Sequence, residues 1–580
     1  MQEHPEPPAT PRRLLTVGDR PWLGANFWSR TGGPLMWRRY GPDVVRHELR
    51  VLREHRMNLT RSFFYWPDFM PEPDRVDEAL VARYADFLDA HLEEGMSTIP
   101  TFIVGHMSGE NWDPSWRRGR DLYGDVTMVA RQAWFVREMA ARFAGHPAVA
   151  GWLISNEMPI YGDPAPTEQV TAWAQLMVQA VRAGGATQPV SIGDGAWGIE
   201  MSGTDNGFSV RELAELTDFV GPHVYPMGDD PVRQNLTAAF VCELAGFTGK
   251  PVVLEEFGLT DSFTSAANAA HYYRQVLHTT LLAGAVGWIA WNNTDYDHLA
   301  DQRPYEHHAF ETRFGLTDST GRPKPQLAEV KAFAEVLEKV DFRDTYRRRP
   351  ETALVVSSYL EQVYPFTEDA DRRFVAEVLR QAYVTAWEAD LPVSFARERD
   401  ELPGDLRLYL VPSTRQLTGP TWQRLDRLAR AGATVYLSYC AGPTAVQRGP
   451  WHADLNGMFG VEHDLAYGLV DPIVDEDVNV TFLRDFGSIP EGGRLGFRAG
   501  GNANSRAYLP VHPAGADVVA VDQHDRPVLL EHRAGAGRTV LSTYPLEHMA
   551  AVTPRVNPEP TYRIYDALAE LAGVQRPVTV

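Results

Sequence analysis

Two glutamates at the ends of apolar runs are the residues best placed to do chemistry. Val149-Ala-Gly-Trp-Leu-Ile-Ser-Asn-Glu157 and Pro251-Val-Val-Leu-Glu-Glu-Phe-Gly258 each read as a buried strand ending in an acid, and Glu157 and Glu256 are 99 residues apart (256 − 157). A strand buried on both faces is a continuous Val/Ile/Leu run, as in a parallel sheet. One carboxyl that gives a proton and one that attacks carbon form the pair that cleaves a glycosidic bond with retention, and such carboxyls stand about 5–5.5 Å apart. In such a pair the acid needs a raised pKa, which burial beside a second carboxylate supplies, while the nucleophile has to be ionised. Glu255 competes with Glu256, but successive strand residues point to opposite faces, so only one of them looks into a site. Gly258 is expected to let the chain turn sharply after the strand.

Such acids need a scaffold that gathers strand ends. Strands are expected at about 23–27, 58–63, 98–104, 149–157, 189–192, 218–225, 251–256 and 286–291, with helices at about 43–56, 76–94, 126–143, 168–183 and 266–282. Alternating strands and helices imply a parallel sheet. Eight units between residues 20 and 345 imply an α/β fold closed as a (β/α)8 TIM barrel, whose chemistry sits at the C-terminal strand tips. An open doubly wound sheet is the structural competitor. Residues 1–19 form an extension, and Arg347-Arg-Arg349 before Pro350 marks a linker. Residues 346–580 form a smaller α/β unit with strands near 353–357, 406–411, 434–438 and 538–542 and helices near 371–388, 421–430 and 561–571. A β-rich insertion or subdomain, with more Gly, Pro and Asp, occupies about 449–537.

Composition narrows the partners. The 580 residues carry 44% hydrophobic and 23% charged side chains, as an ordinary globular protein does. A net charge of −21 argues against nucleic acid or an anionic membrane, both of which demand a basic patch. Cys242 and Cys440 are too far apart for a local metal knuckle and allow no disulfide framework. No apolar segment of signal-peptide or membrane-spanning type is apparent, so a cytoplasmic location is expected, with short imported sugars rather than polymer as substrate.

Other strand tips carry polar groups that a barrel core would not want. Arg61 ends the second strand, His106 follows the third, His223 and Tyr225 end the sixth, and Trp291 ends the eighth. Singly, each has a bland reading: a structural ion pair, a satisfied core histidine, a packing tryptophan. Asn156-Glu157 is also weak alone, since about one Asn-Glu pair is expected by chance in a chain of this length. Together at one end of one barrel, these residues are hard to assign to packing.

Arg61, His106, Asn156-Glu157, His223-Val-Tyr225, Glu256-Phe-Gly258 and Trp291 resemble the ordered active-site set of glycoside hydrolase family 5 over about residues 20 to 320. The resemblance implies Glu157 as general acid/base and Glu256 as nucleophile. It implies that Arg61 and Tyr225 hold Glu256 ionised and oriented, that Asn156, His106 and His223 bind hydroxyls, and that Trp291 is the platform under the sugar. No metal or organic cofactor is implied. Asn26-Phe-Trp-Ser-Arg30, Arg61-Ser-Phe-Phe-Tyr-Trp-Pro-Asp68 and Gly105-His-Met-Ser-Gly-Glu-Asn-Trp112 resemble the actinobacterial subfamily 18 β-mannosidases, associated with mannosyl-β-1,4-N-acetylglucosamine. The expectation is a retaining exo-β-mannosidase acting on short β-mannosides. An endo-β-1,4-mannanase, a β-glucosidase or a β-galactosidase are same-class rivals, and a catalytically silent glycan-binding barrel is the rival of another class. The loop from His106 to Asp125, with Trp112 and Trp116, is expected to wall off one end of the cleft.

The second unit resembles the amidotransferase-like, flavodoxin-like domain of family 42 β-galactosidases, which implies a structural role and a homo-oligomer, dimer or trimer. Ser438-Tyr-Cys-Ala-Gly442 sits where a glutaminase nucleophile elbow would, but a working elbow has Gly at position 438, and the only His-Pro-Glu is His4-Pro-Glu6. An active thiol at Cys440 is therefore not expected.

Overall fold

The computed structural model describes residues 10–11, 15–228, 230–340, 342, 346–365, 367–414, 416–440, 452–464, 475–500, 507–552 and 560–576. His4-Pro-Glu6, most of the N-terminal extension and parts of the β-rich insertion lie outside them.

Eight strands, β1 (Arg20–Asn26), β2 (Leu59–Tyr65), β3 (Ser97–Val104), β4 (Trp152–Ser155), β5 (Val190–Ser191), β6 (His223–Val224), β7 (Val253–Phe257) and β8 (Gly287–Ala290), pair in parallel. Their order is β6-β7-β8-β1-β2-β3-β4-β5, and a parallel bridge from Gly195 to Pro222 joins the last to the first, closing a (β/α)8 barrel. Leu59, Ile99, Leu153, Val253 and Ile289 fill its interior with Trp22 and Phe219, so it is a packed core.

One main helix follows each strand: α1 (Pro42–Glu54), α2 (Glu78–Glu93), α3 (Val126–Phe143), α4 (Thr167–Ala183), α5 (Val210–Leu216), α6 (Pro231–Ala245), α7 (Ala266–Leu282) and α8 (Pro325–Lys339). Asp77, Asp125 and Asp230 cap α2, α3 and α6 by accepting from free backbone N–H groups of the first turn. Among the described residues, no helix is long and apolar enough to cross a membrane.

The second domain is built on β9 (Thr352–Val356), β10 (Ser394–Arg397), β11 (Leu408–Val411), β12 (Thr434–Ser438), β13 (Asp475–Phe482), β14 (Arg494–Gly500), β15 (Asp517–Val521), β16 (Pro527–Ala534) and β17 (Gly537–Ser542). They form one sheet, β10-β9-β11-β12-β17-β16-β15-β13-β14, parallel as far as β17 and antiparallel beyond it. Strands β13 to β16 of the β-rich insertion thus extend the α/β sheet, while Val461–His463 and Val511–Pro513 form a separate antiparallel pair. Helices α9 (Asp369–Glu388), α10 (Gly419–Ala431), α11 (Leu546–Val552) and α12 (Tyr562–Ala572) complete the domain. The two domains meet through α6 and α9. Arg233 on α6 donates to Gln381 Oε1 at 2.8 Å and to the Ala550 carbonyl, and Arg211 pairs with Asp400 at 2.9 Å.

Candidate active site

The two acids reach the barrel mouth by different local routes. Strand β4 stops at Ser155, and Glu157 itself takes up a left-handed conformation (φ 47°, ψ 46°) before the short helix Met158–Tyr161. The acid therefore sits on a bend beyond the strand. Glu256 lies inside β7, directly opposite His223 of β6. Gly258 is not among the positive-φ glycines; what it supplies is room, since a Cβ there would lie 2.3 Å from the Trp291 carbonyl oxygen.

Glu256 is held on both sides. Arg61, fully buried, donates to its Oε1 at 2.5 Å, and the Tyr225 hydroxyl donates to Oε2 at 2.6 Å. The same guanidinium donates to Asn156 Oδ1 at 2.7 Å and to Asn26 Oδ1 at 3.3 Å. Asn156 in turn donates to the His106 carbonyl at 3.0 Å, which leaves one amide N–H for a ligand. One arginine thus orients the carboxylate of one strand and the amide of another.

His223 has a different position from the hydroxyl-binding one implied by the resemblance. Its side chain is wholly buried, with Nδ1 2.9 Å from Glu157 Oε1 and Nε2 3.0 Å from Glu255 Oε2. Glu255 is not turned away from the site either. The β7–β8 register shifts between Leu254 and Phe257, which breaks strict alternation, and Glu255 lies 4.0 Å from Arg61. Gly221 makes space for it, because a Cβ there would meet Glu255 Oε1 at 2.2 Å. His106 faces Glu157 at 3.5 Å, with its Nδ1 2.5 Å from Asn111 Oδ1.

Three carboxylates thus surround two cations. Burial acts to lower His223, but Glu256, Glu157 and Glu255 around it raise it to about 10, so the imidazole is charged. Burial pushes Glu157 up, yet the hydrogen bond and charge of His223, with His106 and Arg61, bring it below its ordinary value. Glu256 stays above its own, through burial and the charge of Glu157, against the opposing effects of His223, Arg61 and Tyr225. His223 thus acts more strongly on Glu157 than on Glu256. The reason is geometric: His223 Nδ1 is 2.9 Å from Glu157 and 3.5 Å from Glu256. Burial, followed by the charge of Glu255, also raises Asp194 to about 7.

One oxygen of Glu157, one of Glu256 and a nitrogen of His223 all lie within 4.8 Å of one another. That spacing would also suit a cation.

The mouth is bridged on one side. A hairpin after β3, His106–Met107 with Glu110–Asn111, reaches the loop after β8: Glu110 pairs with His307 at 2.9 Å and with Arg303 at 3.2 Å. The loop behind the hairpin is anchored by Trp116, which donates to the Met70 carbonyl at 2.9 Å and lies edge-on to Trp66. Trp112 packs edge-on against Tyr65 at 5.4 Å. Both tryptophans fasten the loop to the barrel wall. Trp291 is edge-on to Phe63 and donates from Nε1 to Glu311 at 3.3 Å.

In the second domain Cys440 is buried against Phe374 and Val378, and Ser438 donates to the Tyr544 carbonyl at 3.1 Å. Ala441 and Gly442 of the suspected elbow lie outside the described residues.

Known proteins share this fold. The family model for cellulase (glycosyl hydrolase family 5) matches residues 31–297. The exo-β-1,4-mannosidase of Opitutaceae bacterium strain TAV5 superposes with a TM-score of 0.77 at 22% identity, covering 97% of this chain and 98% of that one. A GH5_18 protein of Streptomyces cattleya, solved with GlcNAc, gives 0.58 at 23% identity over 66% of this chain and 94% of its own. A β-galactosidase of Rahnella sp. R3 gives 0.70 at 17% identity, covering 98% and 91%, which extends the likeness through the second domain. At these identities the likeness is one of fold. Among curated proteins, β-galactosidase GanA of Bacillus subtilis is 30% identical over 157 residues, 25% of this chain and 23% of its own length. The matched part of a probable mannan endo-1,4-β-mannosidase of Aspergillus niger is 46% of that protein, so the chain spans less than half of either curated relative.

Proposed function

We propose that the protein, whose residues 31–297 match the glycosyl hydrolase family 5 model, is a retaining exo-β-mannosidase acting on short β-mannosides such as mannosyl-β-1,4-N-acetylglucosamine. The observation that carries the reading is the approach of Glu157 and Glu256, with an oxygen of each within 4.8 Å of the other. This leaves no room for the water an inverting enzyme places between its carboxyls.

The sugar's anomeric carbon sits between the two acids. Glu256 attacks it while Glu157 gives its proton to the departing glycosidic oxygen, leaving a glycosyl ester on Glu256. Water, deprotonated by Glu157, then attacks the same carbon and frees Glu256. Before the first step Glu157 has to carry a proton and Glu256 none. His223 supplies the route, since Nδ1 can release a proton to Glu157 and take one from Glu256. Arg61 and Tyr225 then hold Glu256 as an anion.

Exo action rests on the bridge from Glu110 to His307 and Arg303, which blocks the β8–β1–β2–β3 side of the mouth. A cytoplasmic setting fits two cysteines that are both buried. β-Galactosidase activity is the second reading, supported by the curated Bacillus subtilis relative over 25% of this chain. A panel of nitrophenyl β-mannoside, β-glucoside and β-galactoside, run beside mannobiose, mannosyl-N-acetylglucosamine and mannan, tests the reading. Release of β-mannose as the first-formed anomer from the short mannosides is expected. Cleavage of mannan alone would exclude exo action, and an α first product would exclude retention.

A further inference from the structure

Glu311 is a third carboxyl at the mouth that the mechanism above does not use. It stands in the turn Ala309–Arg313 of the loop after β8, half-buried, away from any strand tip. The Trp291 indole N–H donates to its Oε2 at 3.3 Å, and the Ser108 hydroxyl of the opposite hairpin also hydrogen-bonds to it. Burial, with the charges of the nearby Glu157 and Glu256, raises its pKa to about 7 against the hydrogen bonds of Trp291 and Ser108. Phe314, three residues on, packs edge-on to Tyr225 at 5.8 Å.

Glu311 and Ser108 belong to the two loops whose tips join at Glu110, His307 and Arg303, so they stand beside that bridge. In a pyranose, C4 lies across the ring from C1. A sugar with C1 between Glu157 and Glu256 and its aglycone toward the open side therefore presents its C3–C4 edge to Glu311.

We propose that Glu311 is a specificity-determining residue that accepts the C3 or C4 hydroxyl of the terminal sugar and so selects a free, unsubstituted non-reducing end. The inference rests on the exo-glycosidase reading and deepens it. A carboxylate that accepts a hydroxyl proton gives a stronger, more directional contact than a neutral group. A chain continued from O4 would have to displace this contact and the bridge behind it.

The test measures kcat/KM for wild type, Glu311→Ala and Glu311→Gln on nitrophenyl β-mannoside and its 3-deoxy and 4-deoxy analogues. Removing either the carboxylate or its hydroxyl partner is expected to cost about 10- to 100-fold. Removing both is expected to cost no more than removing one, because the second change finds the contact already gone. Glu311→Gln keeps an acceptor for Trp291, so it carries the same comparison if Glu311→Ala folds poorly. Losses that multiply on both deoxy sugars would reduce Glu311 to a support for Trp291 and overturn the proposal. An inactive wild type on the parent mannoside would overturn the mannosidase reading itself, and this proposal with it.

Discussion

The barrel and the second domain both end parallel strands in buried polar groups, and the contrast between the two sets is instructive. At the tips of β11, β12 and β17, Glu547 is fully engaged: Ser413 donates at 2.8 Å, Tyr565 at 3.0 Å and Tyr436 at 3.1 Å. One acid is matched by three neutral hydroxyls, and the set is closed. At the barrel mouth, Glu157, Glu255 and Glu256 share Arg61 and His223, so charge is left over and protons can move. Position at a strand tip is common to both sets. Only the unbalanced set has groups whose protonation a substrate can reverse.

The contrast breaks most readily at Glu256. Glu256→Ala is expected to lower kcat on nitrophenyl β-mannoside by about 10⁴-fold or more, with partial rescue by azide, which can occupy the vacated position. A fully active variant would remove the barrel site from the comparison.

His223 is the next test. His223→Gln interrupts the proton route and should lower kcat by about 10²-fold. It should also change the stability profile. The folded-state value of about 10 lies above the ordinary 6.5. A raised pKa stabilises the fold fully below pH 6.5, and the contribution is lost as pH rises through 10. The wild-type thermal midpoint should thus fall more steeply between these two values than that of the variant. Parallel curves would mean that the imidazole is not charged.

The smallest effect is expected in the second domain. Glu547→Leu strands three hydroxyls and should cost about 1–3 kcal/mol of unfolding free energy, read from the denaturant midpoint, while kcat/KM stays level. A fall in turnover at full folding would tie the second domain to the chemistry and erase the contrast.

What could be read from the sequence follows from what repeats. The apolar runs before Glu157 and Glu256 announce buried parallel strands, and strand order then gathers Arg61, Asn156, His223, Tyr225 and Trp291 around them. Glu311 and Ser108 sit in loops, which have no period to read. Glu255 is misplaced by strict alternation, because the register shift in β7 carries no sequence mark. Helix α6 lacks a one-sided apolar stripe for a different reason: it is buried between the barrel and α9, so Ala238, Phe240, Cys242 and Leu244 are covered on several faces. The unequal distances from His223 to the two carboxyls, 2.9 Å to Glu157 and 3.5 Å to Glu256, are encoded by no pattern of residues.

Glu157 sits at a point where folding and chemistry pull apart. A left-handed backbone is comfortable for glycine and tolerable for asparagine, and costs any other residue about 1–2 kcal/mol. Selection for stability alone would drift this position toward glycine, and the chain would fold the better for it. A glutamate held there must be renewed by selection for what its carboxyl does. Among descendants that no longer need the reaction, position 157 is where the loss should first be written.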